Sequence, residues 1–308
     1  MRRRKSDYFR ADAVQHIYQR SYDHGVIFYT LADRLVYYSL AAVKSKAHDV
    51  RITAASIMFT HVHQAAVAAC LADIREYLHD LNSSYSRLYN CHYSRQGRLF
   101  EKPPGRSQKT TLKDKRSNFI YVSNNHVEKR LCSEAVQERW SLLAYAISDH
   151  PFSAALDLKH ASPTLQKAIR LVNRRYSKLK GLEYCDLEKI LPSLDSTERE
   201  QFADYVISRY ALVDFSYGIN LFGDISQTLT AVSSTTGGEY EIREDYDSFS
   251  DTAYSEMIAY MQKSGRLKDV YSMNTTEKNS YLFDILRHTS ATLYHLRKFF
   301  HEDSGACH

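Results

Sequence analysis

Residues 13–132 switch between two hydrophobic periods in a fixed order, and that order limits the fold more than any other feature of the chain. AVQHIYQRSY (13–22) has the β-branched and aromatic content of a strand. After a turn at Gly25, LADRLVYYSLAAVKSKAHD (31–49) has helical spacing at Leu31, Leu35, Tyr38 and Ala42. VRITAASIMF (50–59) and HVHQAAVAA (61–69) read as a hairpin or one continuous strand. LADIREYLHDLNSSYSRLYNCHY (71–93) is an amphipathic helix with Leu71, Ile74, Leu78 and Leu81 on one side. GRLFEKPPGRS (97–107) reads as a short strand closing in a Pro-Pro-Gly loop, and residues 110–132 restart a helix with Ser117 as its candidate cap. The order β-α-β-β-α-β, then a helix, predicts an α+β fold: a ferredoxin-like split βαβ arrangement with an antiparallel sheet.

From about residue 150 the patterning becomes helical. SPTLQKAIRLVNRRY, DSTEREQFADYVISRYALVDF and TAYSEMIAYMQKSGRL read as helices, and TTGGEY (235–240) as a loop. Residues 275–301 read as two helices separated near His288–Ser290, with Thr289 or Ser290 capping the second. In that last helix Leu293, Leu296 and Phe300 form the expected core face, with Thr292, His295, Arg297 and Lys298 off it. The 308 residues are therefore read as two domains, 1–150 and a helical 151–308, whose last two helices at 275–301 resemble a helix-turn-helix; the alternative reading of this half is a helical bundle that packs on the first domain.

Charge separates the same halves. Residues 1–131 hold 22 Lys and Arg against 11 Asp and Glu, and the remainder 19 against 25, so a polyanionic partner is expected on the first half. The five cysteines, Cys70, Cys91, Cys132, Cys185 and Cys307, are odd in number and widely spaced without a CxxC pair. Neither a disulfide framework nor a zinc knuckle is expected, and a reducing cytoplasm fits. MRRRKSDYF is basic without a following apolar region, so it is not read as a signal peptide; no window approaches the ~20 apolar residues of a membrane span.

Within SIMFTHVHQAAV (56–67) a single valine separates His61 from His63. On a strand both imidazoles share one face and Val62 points to the other, which makes half of a metal site. In FIYVSNNHVEKRL, Tyr121 and Asn125 are four apart on a helix and also share a face. Packed under the sheet, that helix would bring Asn125 in as a third ligand and Tyr121 to a bound phosphate. Two imidazoles and an amide oxygen leave open positions for a hard cation, Mg²⁺ or Mn²⁺. Such a cation polarises a scissile phosphate and favours the phenolate of a tyrosine whose ordinary pKa is ~10. Taken singly, each residue has a structural alternative: a solvent-facing histidine pair, a packing aromatic, a capping amide.

Basic residues cluster in three places. Arg2, Arg3, Arg4 and Lys5 form an N-terminal arm; Arg95, Arg98, Lys102, Arg106 and Lys109 interleave with Tyr93 and Phe100; Lys113, Lys115 and Arg116 precede the tyrosine helix. These are the candidate DNA contacts, with aromatic stacking expected in the second cluster; the alternatives are a solubilising tail for the arm and a plain solvated face for the other two clusters.

These motifs, in this order, resemble the REP-associated tyrosine transposases of the IS200-like single-tyrosine type, in their Bacteroidetes-like branch. HIYQRSYDHGVIFYTLADR resembles the family's opening, SIMFTHVHQAA its HUH strand, GRLFEKP its turn after the second helix, YVSNNHVEKRL its tyrosine helix and RWSLLAY its aromatic-rich stretch. The resemblance covers about residues 13–150. It implies an HUH palm with His61, His63 and Asn125 as metal ligands. Tyr121 would be the nucleophile forming a 5′-phosphotyrosine with single-stranded DNA and freeing a 3′-OH. It also implies strand transfer in DNA transposition and recombination, hairpin-forming repetitive extragenic palindromes as substrates, a monomer or homodimer, no membrane partner, and a nucleoid-associated bacterial cytoplasmic protein. The sequence departs from the family pattern at His126, where proline is usual, and at Thr60, where asparagine is usual. Two other readings use the same residues: a catalytically idle DNA-hairpin-binding or transcription-regulating protein, and a Rep-like initiator or relaxase. For the last, no GxxxxGK[ST] nucleotide-binding motif is present.

Overall fold

β1 (Val14–Arg20), β2 (Arg51–Ile57), β3 (His61–Val67) and β4 (Gly105–Lys109) form one antiparallel sheet in the order β2-β3-β1-β4. The computed structural model describes residues 8–101, 103–234, 250–267 and 270–302. α1 (Leu31–Ala47) joins β1 to β2 and α2 (Leu71–His92) joins β3 to β4, which gives the split βαβ topology that the sequence order predicts. β2 and β3 form a hairpin closed by the Met58 amide donating to the His61 carbonyl over 2.9 Å.

α1 begins where it does because Thr30 and Asp33 cap it reciprocally. The Asp33 carboxylate also accepts the Tyr93 hydroxyl at 3.1 Å and the Tyr184 hydroxyl at 2.8 Å, so one buried cap ties three segments together. Burial raises the pKa of Asp33, opposed by those donors.

Strand alternation sorts the sheet into two faces. Ile17, Ile52, Ala55, Ile57, Val62 and Ala66 enter the core formed with α1 and α2. The other face carries Val14, Ala54 and Ala65, packed against Phe119 and Val122 of α3 (Leu112–Glu128). Opposed residues in the ladders share a face, so the pairings Tyr18 with His63, Arg20 with His61, His16 with Ala65 and Ser56 with His63 place these side chains on the α3 side.

Two local expectations are corrected. The fourth strand follows the Pro-Pro-Gly loop instead of preceding it, because Pro103 and Pro104 have no N–H to give a ladder; Phe100 keeps only an isolated bridge to Ser21. α3 is capped by Thr111 with Asp114, six residues before Ser117. Gly105 is required by contact: a Cβ there would stand 1.9 Å from the Tyr18 ring.

Beyond α3 the chain passes through short 3-10 turns between Ala135 and Ala146. Among the described residues eight α-helices follow: α4 (Pro163–Ser177), α5 (Tyr184–Ile190), α6 (Ser196–Tyr210), α7 (Phe215–Asn220), α8 (Ile225–Ser234), α9 (Ser250–Lys263), α10 (Thr275–His288) and α11 (Leu293–Phe300). α4, α5 and α6 bury Leu165, Ile169, Leu187, Phe202 and Val206 in the same core as α1. The buried Asp204 of α6 accepts Arg139 at 2.9 Å and Tyr145 at 2.7 Å, which fixes the RWSLLAY segment. α8 packs on α3 through Val232 and the bond from the Asn124 amide to the Val232 carbonyl, 2.7 Å. α9, α10 and α11 share a core with Val26, Tyr29 and Phe59. The apolar cores thus run across residue 150.

The two C-terminal helices separate at the expected place, but α11 is capped by Thr292 and rotated from the expected face. Leu293 is 62% exposed and His295 is buried, because Phe299 and Phe300 set the packing face and the Tyr29 hydroxyl donates to the Phe299 carbonyl. TTGGEY falls outside the described residues. No described helix is long and apolar enough to cross a membrane.

Candidate active site

The histidine pair sits in the middle of the sheet on β3, with α3 laid across it. The ring centroids of His61 and His63 are 5.0 Å apart, and the Tyr121 ring lies 5.4 Å from His63 and perpendicular to it. β3 supplies the histidines by its period of two; α3 supplies Tyr121 because the helix crosses the face they share. Val62 enters the opposite core, as strand alternation requires.

A third histidine completes the group. His16 of β1 lies 5.3 Å from His63 and 5.5 Å from Tyr121, centroid to centroid. Its Nδ1 is 2.6 Å from Oδ1 of Asn118, and its Nε2 is 3.2 Å from Nδ1 of His63. An amide oxygen only accepts, so the His16 Nδ1 carries the proton. With the proton of His16 on Nδ1 alone, its Nε2 accepts from the His63 Nδ1, which leaves the lone pair of His63 on Nε2. In His61, Nδ1 is engaged by the Thr60 hydroxyl at 3.0 Å. Both arrangements fix a histidine through one nitrogen while the other is presented, as metal-ligating and phosphate-contacting imidazoles require. The sequence analysis singled out neither His16 nor Asn118. The signals were present: a histidine two places before Tyr18 on a strand, and an amide one helical turn before Tyr121.

Asn125 is completely buried one turn beyond Tyr121, and neither atom of its amide has a hydrogen-bond partner among the described residues. An uncompensated buried amide is costly, and a ligand for its oxygen would remove the oxygen's share of that cost. His61, His63 and Asn125 fit a hard cation by donor chemistry. Among the described residues, no three His, Cys, Asp or Glu side chains are grouped as metal ligands. All four candidate residues are enclosed: Tyr121 and His61 are each only 3% exposed.

His126, where the resemblance expects proline, stays in register within α3. Its Nδ1 lies 3.3 Å from the Ser56 hydroxyl, and burial pushes its pKa down to about 4, so the ring is neutral. It also lines a cavity of about 290 Å³ together with Arg34, Phe59, Glu138 and Trp140. The Arg34 guanidinium stands over Phe59 at 4.7 Å and Trp140 at 5.5 Å. Its Nε makes no hydrogen bond among the described residues, and burial lowers its pKa. A sheltered, flat donor against two aromatic rings is suited to a planar or anionic group. Nothing in the spacing around Arg34 marks it in the sequence.

The predicted DNA contacts divide. Arg2, Arg3, Arg4, Lys5 and Lys102 lie outside the described residues. Arg98 and Lys113 face solvent, and Lys109 is half-buried on β4. Arg95 is tied to the Asn90 side chain and the Arg98 carbonyl, Arg106 to Gln15 and the Tyr8 carbonyl, Lys115 to the Asp12 carbonyl and Arg116 to the Leu221 carbonyl. The expected stacking aromatics are not at the surface. Tyr93 is buried on Asp33 and Phe100 is buried beside Tyr37 and Tyr85, because the loop folds back into the core.

No family profile matches the chain, and no curated protein does. Among solved structures, a REP-associated tyrosine transposase bound to a REP hairpin aligns with 51% of this chain and 92% of its own, at 12% identity and a TM-score of 0.38.

Proposed function

We propose that the chain is a metal-dependent, single-tyrosine DNA strand nuclease and transferase acting on hairpin-forming single strands. The observation that carries this reading is the cluster of His61, His63 and Tyr121 on one sheet face, with His16 and Asn118 setting the His63 tautomer. The order of motifs around it is the second support.

In this reading His61, His63 and Asn125 would hold Mg²⁺ or Mn²⁺, which would supply polarisation of the scissile phosphate. Tyr121 Oη forms the bond to phosphorus, the P–O3′ bond breaks, and the 3′-OH is released. The buried face keeps water from competing for the phosphotyrosine.

The second reading, a hairpin-binding protein without catalysis, draws on that same enclosure. Incubating hairpin oligonucleotides from the repeats flanking the gene with protein and Mn²⁺ or Mg²⁺ separates the two. A covalent adduct on a denaturing gel, lost in Tyr121→Phe and with chelator, is the expected result. Tight binding without adduct under either metal would leave the binding protein.

A further inference from the structure

We infer that the groove between α4 and α5 is a docking site for the phosphate backbone of duplex DNA, separate from the His61–Tyr121 face. The choice of nucleic acid as occupant rests on the functional reading above.

The groove has a volume of about 830 Å³ and is lined by Lys167, Arg170 and Arg174 of α4 and Lys189 of α5. The second half of the chain is net acidic, but the charge is not evenly spread. Residues 163–181 contain six Lys and Arg and no Asp or Glu. Lys167, Arg170 and Arg174 follow i, i+3, i+7 spacing, which puts them on one helical stripe spanning about 10 Å. All four lining cations are exposed. Asp186, the acid in the groove, is held by Arg175 at 2.5 Å, and the four cations have no carboxylate within ion-pair distance among the described residues. Four uncompensated positive charges on a concave surface raise the local concentration of a polyanion.

The lining identifies the kind of polyanion. It contains apolar Ala168, Leu171 and Ile190 but no aromatic side chain. Single-strand sites stack bases on aromatics, whereas contacts to a duplex backbone need only cations at phosphate spacing. The groove therefore fits a duplex, gripped without reading its sequence. α4 packs on α6, and α5 and α6 on α1, the helix on the sheet face opposite the histidines. A duplex held there does not contact Tyr121.

The test is the salt dependence of binding by the full chain to a fluorescent duplex oligonucleotide. The variant Lys167→Gln/Arg170→Gln/Arg174→Gln/Lys189→Gln is compared with Arg170→Lys/Arg174→Lys, which keeps the charge. Loss of four phosphate contacts makes the slope of log K against log salt shallower by about 3 to 4. The glutamine variant is expected to show that change and more than tenfold weaker binding at low salt. The lysine variant keeps the wild-type slope, and the Tyr121 adduct with a short single-stranded hairpin is unchanged in both. An unaltered slope in the glutamine variant, with the adduct intact, overturns the groove and leaves the catalytic reading standing. Wild-type protein that neither binds duplex nor forms adduct overturns both. Loss of binding to phosphatidylserine vesicles with duplex binding unaffected also overturns the inference, in favour of a membrane surface.

Discussion

Nδ1 of His63 stands 3.2 Å from Nε2 of His16, and that contact decides which nitrogen of His63 faces the candidate site. The relay begins at the Asn118 amide oxygen and crosses from α3 through β1 to β3. Replacing Asn118 by Leu removes the acceptor that holds His16 in its tautomer. Mn²⁺ affinity, measured by calorimetry, is expected to fall 10- to 100-fold although every candidate ligand remains. Asn118→Asp, which keeps an acceptor oxygen, is expected to stay within a few-fold of wild type. Equal losses in both variants would show that Asn118 acts only through packing.

Gly105 and Tyr18 are a pair fixed by space. Gly105→Ala drives a methyl into the Tyr18 ring beside His63 and is expected to cost about 1–3 kcal/mol in denaturant unfolding. Adding Tyr18→Ala should recover part of that loss, because the clash is with one side chain. A fully additive double variant would count against the contact.

Arg139 and Asp204 form a buried ion pair between the segment after α3 and α6. Asp204→Ala leaves the guanidinium without its innermost partner and is expected to destabilise the fold by about 3–5 kcal/mol. The exposed Glu200, which also touches Arg139, should matter far less when changed to alanine, by about 1 kcal/mol or under. Unfolding midpoints of the two variants give the comparison directly.

His301 gives the fold a predictable pH response. Its Nε2 is 2.7 Å from the Val26 carbonyl, and burial holds its pKa down to about 4. The unfolded chain binds a proton near pH 6.5 and the folded one does not, so stability falls as pH drops from about 6.5 to about 4. The loss attributable to this ring reaches about 3 kcal/mol. His126, also held near 4, adds to the same slope. His301→Gln should flatten the profile in that window; an unchanged profile would place the acid sensitivity elsewhere.

Much of the candidate site was legible because its spacings are local. His61 and His63 share a face through the strand period, and Tyr121 and Asn125 through the helix period; each inference needs only one element. The same logic placed Tyr93 and Phe100 at the surface and failed. They occur among basic residues in the sequence, but the loop carrying them closes over Asp33 and α1, and aromatic burial outweighs the polarity of neighbours. Leu293 and His295 exchanged places for a related reason: helical period gives a stripe, and the docking partner chooses which edge of it is buried.

The amino-acid sequence by itself determined the order of elements, the α+β class and the pairing of chemical groups within each element, because these follow from periods of two and 3.6 along a continuous chain. Only the tertiary structure decided that His16 and Asn118 join the histidine pair and that Tyr121 is enclosed. Tertiary packing likewise gathered the unpaired cations of α4 and α5 into one groove. Those facts depend on ladder register and on which helix covers which face. Both are set by the packing of residues far apart in the chain, where no local period carries the information.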